Sequence, residues 1–262
     1  GGTLTITASN ASLLNSASDL VAGNAILTAN GLNASIGASG ASTDINLTLS
    51  GTLTASAPNG TTSGIYLTET NDMSVASLNA GAGVIELESA GTIRDSAGDD
   101  TTSDITVQTL TIRNSTGIGV SATDALNLNV TNLAITAASG DAFLTDADDL
   151  GLGTLNVAAK NLNVRSIAGN LTDNTSALTA RDLTLTVSAV GKAIGSSVVG
   201  QQIKINLSGA LTASTTTGGS IHISETGDMS IASINGGDGT IQMTSTGGID
   251  EAVCNDAINI TT

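Results

Sequence analysis

Ile65-Tyr66-Leu67-Thr68-Glu69-Thr70-Asn71-Asp72-Met73 returns 77 residues later as Ala142-Phe143-Leu144-Thr145-Asp146-Ala147-Asp148-Asp149-Leu150. It returns again, 79 residues further on, as Ile221-His222-Ile223-Ser224-Glu225-Thr226-Gly227-Asp228-Met229. The three stretches align without a gap. Self-similarity at a fixed period identifies an array, in which each unit buries its apolar face against its neighbours. It also argues against an enzyme, because repetition extends length and surface more readily than it makes one unique pocket.

Further anchors recur outward from this block. Ile36-Gly37, Ile118-Gly119 and Ile194-Gly195 correspond, as do Asn79, Asn156 and Asn235. So do Gly91-Thr92-Ile93-Arg94-Asp95, Gly169-Asn170-Leu171-Thr172-Asp173 and Gly247-Gly248-Ile249-Asp250. They frame one copy at 24–103, a second at 104–178, and a third with the start of the next at 179–262. Residues 1–23 read as the tail of a preceding copy, since Ala11 to Ser16 matches Gly91 to Ser96. Both ends cut through a copy without a polar cap. One continuous array is therefore expected, extended covalently or by end-to-end stacking.

A shorter period lies inside the long one. Runs such as Ile45-Asn46-Leu47-Thr48-Leu49, Leu126-Asn127-Leu128-Asn129-Val130 and Leu183-Thr184-Leu185-Thr186-Val187 alternate apolar and polar residues, the mark of a half-buried strand. A second short run often follows a glycine, as in Gly51-Thr52-Leu53-Thr54-Ala55. The steps are roughly 19–20 residues, the size of one coil of a parallel β-helix. The sequence thus predicts an all-β, right-handed parallel β-helix of about 13 coils, with Gly and Asn at the corners.

Composition agrees. Hydrophobic residues make up 40% of the 262 residues, yet aromatics only 1%, with no Trp, one Tyr and one Phe. A wide globular core recruits aromatics for their bulk; Val, Ile, Leu and Ala suit a narrow one. The net charge of −16 disfavours nucleic acid, whose phosphates demand Lys and Arg, and anionic membranes. No apolar run is long enough to span a bilayer. A single cysteine, Cys254, excludes an intramolecular disulfide.

The Ile-x-Leu-Thr-Glu-Thr-x-Asp-Met run, the Ser74 to Gly81 stretch, the Gly-x-Ile-x-Leu strand and the Gly-Thr-Ile-x-Asp-Ser turn resemble the repetitive surface proteins of bacteria: filamentous-haemagglutinin-like exoproteins and autotransporter adhesins. The resemblance covers nearly the whole chain. It implies a right-handed β-helix, export across the outer membrane, and a fibrous place at the cell surface. Expected partners are other copies of the chain, by end-to-end or lateral association, and host or matrix glycans. No nucleic acid and no membrane insertion are expected.

Two sets of positions stand out as candidate sites. Tyr66, Phe143 and His222 align at an outward position and are the only residues of their kinds; the position reads as a tolerant surface site, with a contact row on one face as the alternative. The acids Glu69, Asp146 and Glu225 correspond, as do Asp72, Asp149 and Asp228; both sets read as solvated corner carboxylates. Calcium needs about six to eight converging oxygens, and the nearest match to a calcium-binding β-roll repeat, Gly236-Gly237-Asp238-Gly239, occurs once and not in tandem. No cofactor is therefore expected, with structural calcium the alternative. A polysaccharide-active β-helix enzyme needs facing carboxylates in a cleft, and here the acids recur in every copy. Thr-x-Thr runs such as Thr3-Leu4-Thr5, Thr52-Leu53-Thr54 and Thr184-Leu185-Thr186 match the pairs that ice-binding solenoids array, but appear in only some coils and read as ordinary β-branched strand residues. Ten Asn-x-Ser/Thr sequons are present; in a chain so rich in these residues they prove little, and glycosylation there is kept as the alternative.

Overall fold

The computed structural model describes residues 1–15, 18–40, 42–98, 102–157, 159–174, 176–252 and 260–262. Cys254, Asp99, Asp100 and the sequon at Asn259 lie outside the described residues. The chain is an all-β parallel β-solenoid of about 11 turns, with no helix among the described residues. The expected count of about 13 is too high because several turns are long. Ile36 and Ile65 stack on one another yet are 29 residues apart in sequence, and Ile194 and Ile221 are 27 apart. Loops inserted between strands lengthen those turns without adding a layer.

Two compact units, Gly1–Thr131 and Asn132–Thr262, divide the chain. In the first, one stack carries the strands Thr3–Ala8, Asn24–Ala29 and Thr52–Ser56, then the start of Met73–Ser89. Their inward residues sit directly over one another: Leu4, Ala25, Leu53 and Val75; then Ile6, Leu27, Ala55 and Leu78. The opposing stack runs Leu13, Ile36, Ile65, Ile85 and Leu110. Beside it stand Ile45, Leu67, Leu87 and Ile112. The second unit repeats the plan. Ala142, Leu162, Leu183, Leu211 and Ile231 form one stack, and Leu150, Leu171, Ile194, Ile221 and Ile241 the other.

Alternation explains these stacks. Successive side chains of a strand point to opposite faces, so the odd members of Ile45–Leu49 and Leu183–Val187 are buried while the even ones are only half-buried. Ile65, Leu67, Ile85, Leu87 and Leu110 are fully buried. Each contributes about 1.5–3 kcal/mol relative to exposure. Turns about 4.8 Å apart leave gaps that aliphatic side chains fill, which accounts for the scarcity of aromatics.

The sequence repeat and the turn of the solenoid are out of phase. Ile36 and Ile118 occupy equivalent places in their copies. Ile36 stacks between Leu13 and Ile65, whereas Ile118 stacks on Ile93, which lies over Met73 in the opposite stack. One copy therefore does not span a whole number of turns, and equivalent residues of adjoining copies emerge on different stacks.

Candidate functional site

The corners show how the acids are used. At the outer corner, Asp72 accepts a hydrogen bond from the Thr92 amide of the next turn at 2.9 Å. Asp149 does so from Asn170 at 2.6 Å, and Asp228 from Gly248 at 2.7 Å. Asn24 with Thr52 (2.8 Å) and Asp182 with Ala210 (2.8 Å) build the same clasp. Each ties one turn to the next where the ladder of strand hydrogen bonds is interrupted. Backbone donation from Asn170 holds the Asp149 carboxyl below the ordinary carboxylate range, and Ala210 does the same for Asp182. Asp72 also faces Arg94 at 3.6 Å across an open groove of about 440 Å³ lined by Ser50, Asn71 and Ser74.

The other acidic set corrects the expectation of solvated carboxylates. Glu69, Asp146 and Glu225 are only 1%, 0% and 2% exposed. Alternation puts them inside, two residues after Leu67, Leu144 and Ile223. Glu69 Oε1 accepts from the Leu49 and Thr70 amides, both at 3.1 Å, and Glu225 Oε1 from Leu207 at 3.2 Å. Asp146 Oδ1 accepts from Asp148 at 3.0 Å. Oε2 of Glu69 and of Glu225 has no partner. Burial without a compensating cation raises the pKa of both glutamates. Among the described residues, no three His, Cys, Asp or Glu side chains converge in a way that could hold a metal ion.

The structure does not gather Tyr66, Phe143 and His222 into one row. In the second unit Phe143 stands beside Asn163, Thr184 and Thr212 in one stack, and His222 beside Gln242 in the other. The phase offset between copy and turn is the reason. Nor are they uniformly outward: Tyr66 is half-buried and His222 is buried.

A constellation that the sequence did not reveal surrounds Tyr66. After Ile36, Gly37 adopts φ +73°, and a Cβ there would lie 2.5 Å from the carbonyl oxygen of Tyr66. Only glycine fits both the backbone conformation and this close approach. The chain then leaves the coil as a loop, closed by hydrogen bonds between Ala38 and Thr43 and between Thr43 and Gly40 (3.0 and 2.8 Å). Ser39 of this loop donates to the Glu86 carboxylate at 3.0 and 3.1 Å. Tyr66 pairs with Glu86 in register, and burial followed by the Glu86 charge raises the phenol pKa.

Asp44 ends the loop with its side chain wholly buried. Its Oδ2 accepts from Thr68 Oγ1 at 2.6 Å and from the Arg113 guanidinium. Arg113 also lies 3.7 Å from Glu88. Arg113 reaches them because it is the extra residue of a β-bulge: Leu87 pairs with Ile112, but Glu88 with Asn114. The carboxylates of Asp44, Glu86 and Glu88 are thereby engaged in pinning the loop across successive turns. Spacing could not have shown this, because Asp44 and Arg113 are 69 residues apart.

The second unit carries the counterpart with other side chains. Gly195 (φ +70°) approaches the His222 carbonyl as Gly37 approaches that of Tyr66. Its loop is closed by Ser196 with Gln201 (3.1 Å) and Gln201 with Val198 (3.0 Å). Lys204 bonds to the buried Asp173 and to the Gly200 carbonyl at 3.0 Å. His222 Nδ1 faces Gln242 Oε1 at 3.2 Å where the first unit has Tyr66 and Glu86.

Comparison with known proteins gives no relative: no family model matches the chain, no curated protein is similar to it, and no solved structure matches it.

Proposed function

We propose that this chain is a structural segment of an extracellular bacterial fibre or adhesin stalk. It would form a stiff spacer that extends from the cell surface and supports adhesion or contact between cells and matrix. The supporting observation is the in-register parallel stacking of turns in each unit, with acids and asparagines clasping turn to turn. Such stacking makes stability a sum of nearest-neighbour terms, suited to length and mechanical reach. The coils are read as right-handed, the usual sense of parallel crossovers. The resemblance of the repeat motifs to bacterial surface exoproteins supports the location and export. The reading is non-enzymatic, because the carboxylates described above bond to backbone amides or pin loops. Copies of the chain are the proposed partners, with matrix glycans second.

The test is protease shaving of intact source cells, followed by blotting with an antibody to the 262-residue chain. Loss of the band while a cytoplasmic marker survives is expected. A band that persists until the cells are lysed overturns the reading.

A further inference from the structure

The Thr-x-Thr runs, scattered in sequence, come together in the first unit. Strands Thr3–Ala8, Asn24–Ala29 and Thr52–Ser56 stack in unbroken register, so their outward residues form straight ranks across three turns. One rank is Thr5, Ile26 and Thr54; the next is Thr7, Thr28 and Ser56. In the third, Thr3 and Thr52 flank Asn24, whose side chain bonds to both at 3.5 and 3.3 Å. Six of these nine positions are threonine and one is serine.

Three properties set this face apart. None of its nine positions is charged, in a chain with 23 acidic and 7 basic residues. The hydroxyls of Thr5, Thr7, Thr28, Thr54 and Ser56 have no protein partner among the described residues, which leaves them to water. And the array is a regular lattice with two spacings. One is about 4.8 Å from turn to turn; the other is about 6.7 Å between alternate residues of a strand. The core beneath, Leu27, Leu53 and Ala55, is fully buried and holds the ranks rigid.

We propose that this face binds ice. A threonine offers water a methyl group that orders its first shell and a hydroxyl that anchors it. Ranks of them at these spacings approximate the oxygen rows of an ice surface. Charged groups would orient water incompatibly, and their absence leaves the lattice undisturbed. Because the paired strands that carry the threonines are already ordered over a buried core, little backbone entropy is lost on binding. The array ends at the strand Met73–Ser89, where a bulge at Ala76 breaks the register. In the second unit Thr184 and Thr186 stack on Thr212 and Ser214, but Arg165 opposite Thr186 interrupts the next rank with a charge. The first unit is therefore the ice-binding one.

The experiment is nanolitre osmometry on the 262-residue chain, with the double variant Thr5→Lys/Thr54→Lys and the control Gln108→Lys, an exposed strand position outside the array. Faceted ice crystals and a gap between melting and freezing points are expected for the parent and the control. The double variant is expected to lose most of that gap while its circular dichroism matches the parent. A parent that neither shapes ice nor shows a gap overturns the proposal, whatever the variants do. So does a gap that survives the double substitution, or one that the control abolishes equally. Sedimentation showing a side-by-side dimer that only the double variant disrupts would assign the face to a second copy of the chain instead.

Discussion

The loop-bearing turn of the first unit and its counterpart in the second share a backbone device and differ in every side chain that fastens it. Both begin with Ile-Gly, both place the glycine at positive φ against a carbonyl of the next turn, and in both the isoleucine bridges a leucine on one side and an isoleucine on the other. The first is then held by Asp44, Glu86, Glu88 and Arg113, the second by a single Lys204–Asp173 pair. The backbone geometry is thus the invariant of the repeat. The clamp over it differs: in each case a cation meets a buried carboxylate, but from different positions of the chain.

Attacking the shared device should have the largest effect and should not distinguish the units. Gly37→Ala and Gly195→Ala each combine a left-handed backbone position with a backbone clash. Each should cost about 3 kcal/mol, read as a lower urea midpoint, with the Gly195 variant at least as damaged because its approach is closer. Equal tolerance of alanine at both sites would show that the glycine is not what the two turns have in common.

Attacking the clamps should separate the units. Arg113→Ala strands the Asp44 charge in a buried site and should cost about 3 kcal/mol. Lys204→Ala likewise leaves Asp173 buried without its cation, but the cation removed is more exposed, so it should cost less, about 2 kcal/mol. Adding Asp44→Asn to Arg113→Ala should restore part of the loss; a double variant no better than the single would place the stabilisation in the arginine stem and not in the charge.

Inner and outer corner acids should respond to pH with opposite signs. Glu69 and Glu225 have raised pKa values in the fold, so the native state binds the extra proton. Their contribution is fully present below the ordinary value of 4.5 and is lost as pH rises through the folded values. Asp149 and Asp182 are lowered. Theirs is present above the ordinary 3.8 and is lost as pH falls through the folded values. In urea midpoints measured from pH ~3 to ~7, Glu69→Gln and Glu225→Gln should flatten the decline toward neutrality. Asp149→Asn should flatten the decline toward acid. The same slope change from both kinds of variant would contradict the inner and outer assignment. Smallest of all, Tyr66→Phe should lower the stability read from urea midpoints by no more than about 0.5 kcal/mol.

The strand pattern was legible because alternation is local: Ile45–Leu49 and Leu183–Val187 declare which side faces in without reference to anything distant. The inward placement of Glu69 was legible by the same rule, two residues beyond Leu67, but its polarity suggested solvent. Inside, its Oε1 accepts from the Leu49 amide of the neighbouring turn at the strand end.

By itself, then, the sequence determined a repeating parallel β-solenoid with aliphatic stacks inside and glycine and asparagine at its corners. Tertiary structure alone decided which turn lies on which. That depends on the summed lengths of loops such as the one after Gly37, which no local pattern encodes. The sum sets the phase that separates Ile118 from the stack of Ile36, and Phe143 from that of His222. It also brings Arg113 to Asp44, and Thr5 to Thr54, across turns that the sequence keeps far apart.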